Sequence, residues 1–473
     1  METSMELKNK RVLVVGLGRS GVAAAFFLQE RGAKVTVSDS KSEIQLQSEI
    51  SALLDRGVSI ETGRHGERTF RDQDLIVVSP GVPSDQPNLQ HARTLGIPVI
   101  GEVELAFRFL QGKVLAITGS NGKTTTTTLV GEILAESGKK TLVGGNIGTP
   151  VISLAGKSSE DGLVVLEISS FQLETIEQFR PWISAILNIT PDHLDRHHTF
   201  QAYVDAKARV FENQRAAGAG ENQTTGDFVV LNADDPACVA LKDNVKASLL
   251  WFSRKQPLPN NADGAYLKGD EIIFRQNGKE QTVLNRGDIH LKGAHNLENV
   301  LAAVAMTMVA GCAPQQVRQA VSEFRAVEHR LELVTAINGV SFYNDSKATN
   351  VDATVKALES FPGNVHIILG GKDKGSDYTV LTPLLRERAR RAYLIGAAAE
   401  KIASQIQGAT PLEKSGTLER AVRQAFDAAN PGDVVLLAPA CASFDQFENY
   451  EQRGRIFKEL VMALAPVVSG GKS

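Results

Sequence analysis

The stretch AITGSNGKTTTTTLV, residues 116–130, decides how the rest of the chain is interpreted. An apolar, strand-like run, VLAIT, leads into a short loop with glycine and asparagine, and a Thr-rich helical segment follows. Gly122, Lys123 and Thr124 match the second half of the phosphate-binding pattern G-x-x-x-x-G-K-[ST]. The first glycine of that pattern should stand at position 117, which is Ile117. The match is therefore either accidental or a phosphate loop of a different subtype.

The residue types in this loop suit a bound polyphosphate. Gly119 and Gly122 allow backbone N–H groups to converge on an anion. Lys123 would bridge the outer phosphates, and Thr124 would offer its hydroxyl to Mg²⁺. The alternative is a plain Gly/Asn turn with an exposed lysine. A Gly-Lys-Thr placed directly between a strand and a helix favours the phosphate loop over that alternative.

A carboxylate at a strand end is the second candidate for the same site. Glu167 follows four apolar residues in LVVLEISS, which predicts a side chain at the C-terminal edge of a buried strand. This is where the metal-binding acid of a nucleotide site belongs. A helix-capping glutamate is the alternative. We interpret Glu167 as a metal ligand because the strand of the phosphate loop is expected beside it.

A second glycine-rich turn, Gly16-Leu-Gly18-Arg-Ser-Gly21, follows a strand and opens a helix. That context is typical of dinucleotide binding, and Asp39 ends the next strand, where an acid can bind a ribose hydroxyl. NAD binding, a turn that lets helix and strand pack closely, and another anionic nucleotide at the helix N-terminus all remain open. We favour some nucleotide, because nothing downstream looks like hydride-transfer machinery.

The segment TPDHLDRHH concentrates acids and histidines. His193 and His197 are four residues apart, which suits one metal on a helix face, but Leu194 occupies the place of the zinc-protease glutamate. A histidine taken alone is more often a surface or capping residue than a ligand. Asp192 and Asp195 could simply cap the start of a helix.

Lys207 is unusual because it lies in a helix with an apolar pattern, AYVDAKARVF. A buried cation there would be costly. The ordinary explanation is that the side chain extends outward to water.

Length and element order predict three domains. The chain has 473 residues, and about 150 residues per domain is usual. Elements alternate strand and helix nearly throughout, which predicts an α/β fold with open, mostly parallel sheets. We predict a Rossmann-like N-terminal domain (1–101), a P-loop ATPase-type central domain (102–326) and a Rossmann-like C-terminal domain (327–473).

Net charge and cysteine usage limit the partners and the cellular compartment that we expect for this protein. The net charge is −3 and no long Lys/Arg run occurs, which argues against a nucleic-acid partner. The three cysteines are far apart and form no C-x-x-C, which fits reduced thiols. METSMELKNKR lacks the apolar core of a signal peptide, and the longest apolar stretch, 300–311, is too short for a bilayer. We expect a cytoplasmic protein with no membrane partner.

Taken together, these residues resemble the Mur ligase superfamily of ATP-dependent amide-forming enzymes. Its short phosphate loop reads T-G-[ST]-N-G-K-[ST]-[ST], which residues 118–125 match at every position. The resemblance thus implies that Ile117 is the last strand residue rather than a missing glycine. Further blocks similar to the family run along the chain: GGNIG (144–148), LEISSFQLE (166–174), NITPDHLDRH (188–197), AKARVF (206–211), AHNLENVLAA (294–303) and EHRLE (328–332).

The C-terminal third narrows the resemblance within the family. NDSKATN (344–350), GGKDKG (370–375) and PACASFDQFENYEQRG (439–454) are similar to the branch that adds D-Glu to UDP-MurNAc-L-Ala. GGKDKG departs from the pattern, so that either Lys372 or Lys374 is the functional lysine, and we prefer Lys374. The implied reaction, in peptidoglycan precursor synthesis, activates a carboxylate as an acyl phosphate with ATP. A Mur ligase with another amino-acid specificity is the nearest alternative.

The resemblance also implies site residues. Lys123, Glu167, His193 and Lys207 would be catalytic. ATP would be held by Gly119, Ser120, Asn121, Gly122, Lys123, Thr124, Thr125, Asn296, Asn299, His329, Arg330 and Asp345. The UDP-linked substrate would contact Arg19, Ser20, Asp39, Ser40, Ser79, Asn146, Gln172 and His193. D-Glu would contact Lys347, Thr349, Lys374, Ser443, Phe444 and Tyr450.

Two Mg²⁺ ions are implied, with ligands from Thr124, Glu167, His193 and Lys207. In the family the lysine at the position of Lys207 carries a carbamate derived from CO₂, which turns a cation into an anion. Burial would favour the neutral amine that carbamate formation requires. We also expect a monomer whose third domain closes onto the second.

Two alternatives from other classes remain at this stage. One is an NAD-dependent oxidoreductase built on GLGRSG. The other is a P-loop scaffold without catalysis, which would not need the set of Glu167, His193 and Lys207.

Overall fold

The computed structural model describes residues 5–146, 148–218, 226–291, 293–325 and 328–464. The chain divides into two compact units. The first comprises residues 1–189, 201–289 and 298–323, and the second comprises 190–200, 290–297 and 324–473.

A parallel five-stranded sheet opens the first unit. Its strands are β1 (Arg11–Val15), β2 (Lys34–Asp39), β3 (Ser59–Thr62), β4 (Leu75–Val78) and β5 (Val99–Gly101). Its helices are α1 (Arg19–Glu30), α2 (Gln47–Leu54), α3 (Glu67–Arg71), α4 (Pro87–Thr94) and α5 (Glu102–Phe107). The strand order is β3-β2-β1-β4-β5, which is the order of a Rossmann half. β1 and β4 are apolar runs buried on both faces, as covered parallel strands require.

A nine-stranded sheet forms the rest of the first unit. Its strands are β6 (Lys113–Thr118), β7 (Thr141–Gly145), β8 (Leu163–Glu167), β9 (Ile183–Ile186), β10 (Phe228–Asn232), β11 (Ser248–Ser253), β12 (Gly264–Lys268), β13 (Glu271–Gln276) and β14 (Lys279–Asn285). The order is β14-β13-β12-β11-β10-β9-β6-β8-β7. The pairs β12–β13 and β13–β14 are antiparallel and the other pairs are parallel.

The helices of this central part of the chain are α6 (Lys123–Glu136), α7 (Ile152–Ala155), α8 (Ser170–Leu173), α9 (Leu194–His197), α10 (Phe200–Ala208), α11 (Pro236–Ala240), α12 (Ala294–Val309) and α13 (Pro314–Glu323). The short helix α9 belongs to the second unit. Single 3₁₀ turns within the described residues are Glu43–Leu46, Arg209–Phe211, Lys242–Asn244, Arg286–Asp288 and Tyr378–Leu381.

A six-stranded sheet forms the centre of the second unit. Its strands are β15 (Glu332–Ile337), β16 (Val340–Asn344), β17 (Val365–Gly370), β18 (Ala389–Ile395), β19 (Leu412–Gly416) and β20 (Val434–Leu437). Its helices are α14 (Val351–Glu359), α15 (Thr382–Arg388), α16 (Ala399–Gln405), α17 (Leu418–Ala428) and α18 (Tyr450–Met462). The order is β15-β16-β20-β17-β18-β19, and the pair β15–β16 is antiparallel.

These three mostly parallel sheets confirm the predicted α/β fold class. The predicted domain boundaries stay predictions, and the boundary between 326 and 327 lies outside the described residues. Among the described helices, none combines the length and the apolarity needed to cross a membrane.

The topology of the second sheet brings three strand ends together. β6 lies between β8 and β9, and all three are parallel, so their carboxyl ends share one edge. Ile117 pairs with Glu167 in β8, and Thr118 pairs with Ile186 in β9. Ligands of open α/β sheets bind at this edge.

Candidate active site

The phosphate loop, residues 119–122, joins β6 directly to α6. β6 continues through Thr118, so the expectation that Ile117 is the last strand residue is wrong by one position. Gly122 has φ +85°, a conformation that favours glycine, and a Cβ there would lie 2.1 Å from Asn299 Oδ1. This backbone turns the chain from the sheet into the first turn of α6, where helix N–H groups suit an anion.

The Lys123 ammonium folds back over the loop. Its Nζ donates hydrogen bonds to the carbonyl oxygens of Gly119 and Ser120, each at 2.9 Å. The cation predicted to bridge phosphates is therefore held above the loop. A polyphosphate that offers stronger acceptors than these neutral carbonyls could draw the ammonium away from them.

Asn188 braces the other side of the loop. Its Oδ1 accepts from the Asn121 N–H at 2.8 Å, and its Nδ2 donates to the Asn121 carbonyl at 3.1 Å. Its own carbonyl accepts from the Ser120 N–H at 2.9 Å. Sequence reasoning did not assign Asn188 to the site, although it opens the quoted block NITPDHLDRH.

Glu167 is the last residue of β8, as predicted for a carboxylate at a strand end, and is 1 % exposed. Its Oε2 accepts from the Thr124 hydroxyl at 2.7 Å, and its Oε1 accepts from Asn146 Nδ2 at 3.0 Å. A buried hydroxyl–carboxylate pair beside a phosphate loop is the oxygen donor set that Mg²⁺ prefers. The geometry of Thr124 and Glu167 therefore fits the predicted ion.

Lys207 is buried, with 1 % of its surface exposed, so the explanation that it extends to water is wrong. Its Nζ donates to the Gly119 carbonyl at 2.9 Å and lies 4.4 Å from the centre of the Tyr203 ring. The Tyr203 hydroxyl lies 3.2 Å from Ser120 Oγ. Tyr203 was not predicted, yet it connects the lysine to the phosphate loop.

Asp39 and Ser79 support the N-terminal glycine-rich turn. The Asp39 carboxylate accepts from the Leu17 N–H at 2.7 Å and from the Lys41 N–H at 2.8 Å. The Ser79 hydroxyl donates to the Gly16 carbonyl at 2.8 Å. Both side chains are nearly buried and shape the strand ends where a nucleotide was predicted.

His193 and His197 belong to the second unit, where only His197 lies within a helix. His193 has a left-handed backbone (φ 54°) and precedes α9, whose last residue is the buried His197. The N-cap of α9 is His193 and not Asp192, whose Oδ1 accepts from the His193 N–H at 2.9 Å one residue before the helix.

Asp192 also organises two residues from the NDSKATN and GGKDKG blocks. Its Oδ2 accepts from Asn350 Nδ2 at 2.9 Å, and its Oδ1 lies 3.3 Å from Lys374 Nζ. The Lys372 side chain is exposed, whereas the Lys374 side chain is 16% exposed. The preference for Lys374 over Lys372 as the functional lysine stays a prediction.

The predicted residues of the EHRLE and NDSKATN blocks lie together around Asn344. Asn344 Nδ2 lies 2.9 Å from His329 Nδ1 and donates to Glu332 Oε2 at 3.1 Å. Burial lowers the pKa of His329. Burial also raises the pKa of Asp345 to about 6, against the opposing effect of Arg330.

Lys347 and Tyr450 lie side by side, with Lys347 Nζ 5.2 Å from the ring centre. The buried Arg453 fixes this corner, because its guanidinium donates to Ser346 Oγ at 3.0 Å and to the Cys441 carbonyl at 3.2 Å. Ser346 Oγ in turn donates to the Tyr450 carbonyl at 2.8 Å. Burial lowers the pKa of Arg453 to about 10.

The burial of the remaining predicted site residues varies. Gln172 accepts from the Ser169 N–H at 2.9 Å within a helix cap. Thr125, Asn296, Asn299 and Ser443 are buried, Ser20, Arg330 and Thr349 are half-buried, and Arg19, Ser40 and Phe444 are exposed. Among the described residues, one His/Asp/Glu group has metal-like spacing, Glu328–His329–Glu332, and Lys458 pairs with both glutamates.

Comparison with known proteins gives the same family along the whole chain. Three family descriptions match in order: Mur ligase MurD-like, N-terminal domain (10–101), Mur ligase middle domain (117–307) and Mur ligase, glutamate ligase domain (329–441). The UDP-N-acetylmuramoylalanine–D-glutamate ligase of Koribacter versatilis is 62% identical over 98% of this chain and 99% of its own length. The chain belongs to the Mur ligase family.

Other similar proteins belong to the same family as this Mur ligase. The enzyme of the same name from Acidobacterium capsulatum is 58% identical over 97% of both chains. The solved UDP-N-acetylmuramate-alanine ligase MurC of Thermotoga maritima has a TM-score of 0.60 at 20% identity and covers 96% of this chain and 100% of its own. MurF ligase of Thermotoga maritima has a TM-score of 0.60 at 17% identity over 98% and 97%. These two structures show the shared fold.

Proposed function

We propose that this Mur ligase joins D-glutamate to UDP-N-acetylmuramoyl-L-alanine at the expense of ATP, in peptidoglycan precursor synthesis. The observation that carries the proposal is the 62% identity, along essentially the whole length of both chains, to a ligase named for this reaction. The phosphate loop with Thr124 and Glu167 supports the use of ATP.

The chemistry has two steps. A carboxylate oxygen of the alanyl group attacks the γ-phosphorus of ATP, the bond to the β-phosphate oxygen breaks, and an acyl phosphate and ADP form. The D-glutamate amine then attacks the acyl carbon, phosphate leaves with the C–O bonding electrons, and the amine loses a proton. Both steps bring anions together, so positioned cations and N–H donors are the main requirement.

In the first unit, the amides of the phosphate loop would bind the β- and γ-phosphates. Lys123 would move from the loop carbonyls to the phosphate oxygens, where a charge-assisted hydrogen bond is stronger. Asn299, which packs against Gly122, would line the nucleotide from α12. Mg²⁺, when bound by Thr124 and Glu167, would neutralise charge on the transferred phosphoryl group.

Lys207 would carry a carbamate formed from CO₂ and its neutral amine, with release of one proton. The side chain is buried beside Gly119 and Tyr203, and the carbamate would place an anion among groups that can orient Mg²⁺. ¹³C NMR of the enzyme in labelled bicarbonate tests this step. A carbamate signal that disappears in Lys207→Ala is expected, and an active enzyme without that signal would contradict it.

The other roles follow the family assignments. In the first unit, Arg19, Ser20, Asp39, Ser40, Ser79, Asn146 and Gln172 would bind the UDP-linked substrate. In the second unit, His193 would ligate a second Mg²⁺, and Asn296, His329, Arg330 and Asp345 would contribute to ATP binding. Lys347, Thr349, Lys374, Ser443, Phe444 and Tyr450 would hold D-glutamate, and two lysines match its two carboxylates.

Phosphate release with UDP-N-acetylmuramoyl-L-alanine and a panel of amino acids tests the proposal. Release that depends strictly on D-glutamate is expected. Release driven by another amino acid would instead identify a Mur ligase of different specificity. The proposal also takes the enzyme as a cytoplasmic monomer, and sedimentation equilibrium measures the second point.

A further inference from the structure

We infer that Asn188 is a positioning residue that sets the nucleotide affinity of the phosphate loop by fixing the peptide bond between Asn121 and Gly122. The inference rests on the proposed use of ATP and adds a residue to which no role in the reaction was assigned above.

Both side-chain hydrogen bonds of Asn188 are made with the backbone of one residue, Asn121. Its side-chain oxygen accepts from the Asn121 N–H at 2.8 Å, and its side-chain nitrogen donates to the Asn121 carbonyl at 3.1 Å. One amide side chain thus imitates the two-bond pairing of a neighbouring strand. Asn188 is 7 % exposed, so water competes little with either bond.

The main chain of Asn188 continues the same pairing. The Leu187 N–H donates to the Thr118 carbonyl at 3.0 Å, and the Ser120 N–H donates to the Asn188 carbonyl at 2.9 Å. β6 and β9 therefore remain paired beyond their regular ends. The first half of the loop is held as an extension of the sheet, while Gly122 turns the chain into the helix.

The orientation of one peptide follows from these contacts. The Asn121 carbonyl points at Asn188 Nδ2, and in a trans peptide the N–H of the next residue points the opposite way. The Gly122 N–H therefore faces away from Asn188, toward the side on which α6 begins. Without the side-chain amide, this peptide could rotate and present its carbonyl oxygen, which repels a phosphate.

The strand end itself has a separate brace, which provides a matched control. Asn232 Nδ2 donates to the Leu187 carbonyl at 2.9 Å, and its Oδ1 accepts from the Asp234 N–H at 2.8 Å. Asn232 is a buried asparagine like Asn188, bonded to the adjacent residue of the same segment. None of its described hydrogen bonds reaches residues 119–122.

The experiment compares ADP binding by isothermal titration calorimetry in the full-length wild-type protein, Asn188→Ala, Asn188→Asp and Asn232→Asp. Asn188→Ala loses both side-chain bonds, and Asn188→Asp replaces the bond to the Asn121 carbonyl with a repulsion, so we expect ADP affinity about 5- to 30-fold weaker in both variants. Asn232→Asp should bind ADP within about twofold of wild type, whatever its thermal stability. ADP binding by the wild type tests the proposed function separately.

Asn188→Asp adds a readout that a general loss of stability would not produce. At neutral pH the introduced carboxylate can accept from the Asn121 N–H but opposes the Asn121 carbonyl. On protonation it gains an O–H donor and restores both bonds. The ratio of its ADP dissociation constant to that of wild type should therefore fall as pH decreases from 7.5 to about 5.

Three results would overturn the inference. One is wild-type ADP affinity in Asn188→Ala. Another is an equal loss of affinity in Asn232→Asp. The third is an affinity ratio for Asn188→Asp that does not change with pH.

Discussion

Glu102, at the start of α5, should make the first unit less stable as pH rises. It is 2 % exposed, and its Oε1 accepts from the Ile152 N–H at 2.7 Å. Its Oε2 is buried and has no hydrogen-bond partner within the described residues. Burial raises the pKa of Glu102 from 4.5 to about 7, although the amides of Ile152 and Val151 oppose the shift.

The sign of the effect follows from proton binding. Between pH 4.5 and about 7 the unfolded chain has released the Glu102 proton while the folded chain retains it, so unfolding becomes easier as pH rises. A difference of 2.5 in pKa corresponds to roughly 3 kcal/mol. Glu102→Gln keeps an oxygen for the Ile152 N–H and cannot ionise. The stability of Glu102→Gln relative to wild type should therefore increase by about 2–3 kcal/mol from pH 5 to pH 8.

Urea unfolding followed by tryptophan fluorescence measures this difference, because both tryptophans, Trp182 and Trp251, belong to the first unit. Glu104 provides a matched control on the same helix. Its Oε2 accepts from three backbone N–H groups and its Oε1 pairs with Arg108, so Glu104→Gln should destabilise the protein. A stability difference between Glu102→Gln and wild type that is the same at pH 5 and pH 8 would refute the reasoning.

Three further predictions concern catalysis. Lys347→Ala should raise the KM for D-glutamate roughly tenfold or more while the KM for ATP stays unchanged, and equal increases in both would contradict its assignment. Thr124→Val removes the hydroxyl bonded to Glu167 and should lower kcat about 10- to 100-fold, whereas Thr124→Ser keeps a hydroxyl and should retain most activity. Equal rates of phosphate release by the Thr124→Val and Thr124→Ser variants would argue against a metal-binding hydroxyl. Gly122→Ala introduces a Cβ 2.1 Å from Asn299 Oδ1, and the backbone angle of φ +85° costs a residue with a Cβ about 1–2 kcal/mol more. Calorimetry should therefore show greatly weakened ADP binding, and wild-type affinity would contradict this reasoning.

Local patterns were sufficient for the strands, the phosphate loop and Glu167. An apolar run that ends in Gly-Ser-Asn-Gly-Lys-Thr predicts a buried strand, a turn and a helix, because each feature depends on neighbouring residues. The same reasoning located Glu167 at the end of β8. It did not indicate that His193 stands before α9 with φ 54°, while His197 ends that helix.

By itself, then, the sequence determined the α/β fold class, the phosphate loop and the acid at the neighbouring strand end, because each of these depends on residues close together in the chain. Only the tertiary structure decided which side chains brace that loop and how Lys207 is directed. Asn121 and Asn188 are 67 residues apart and Lys207 and Gly119 are 88 apart, so no local pattern relates them. Parallel strands require long crossovers, and residues remote in the chain therefore meet at the edge where the strands end.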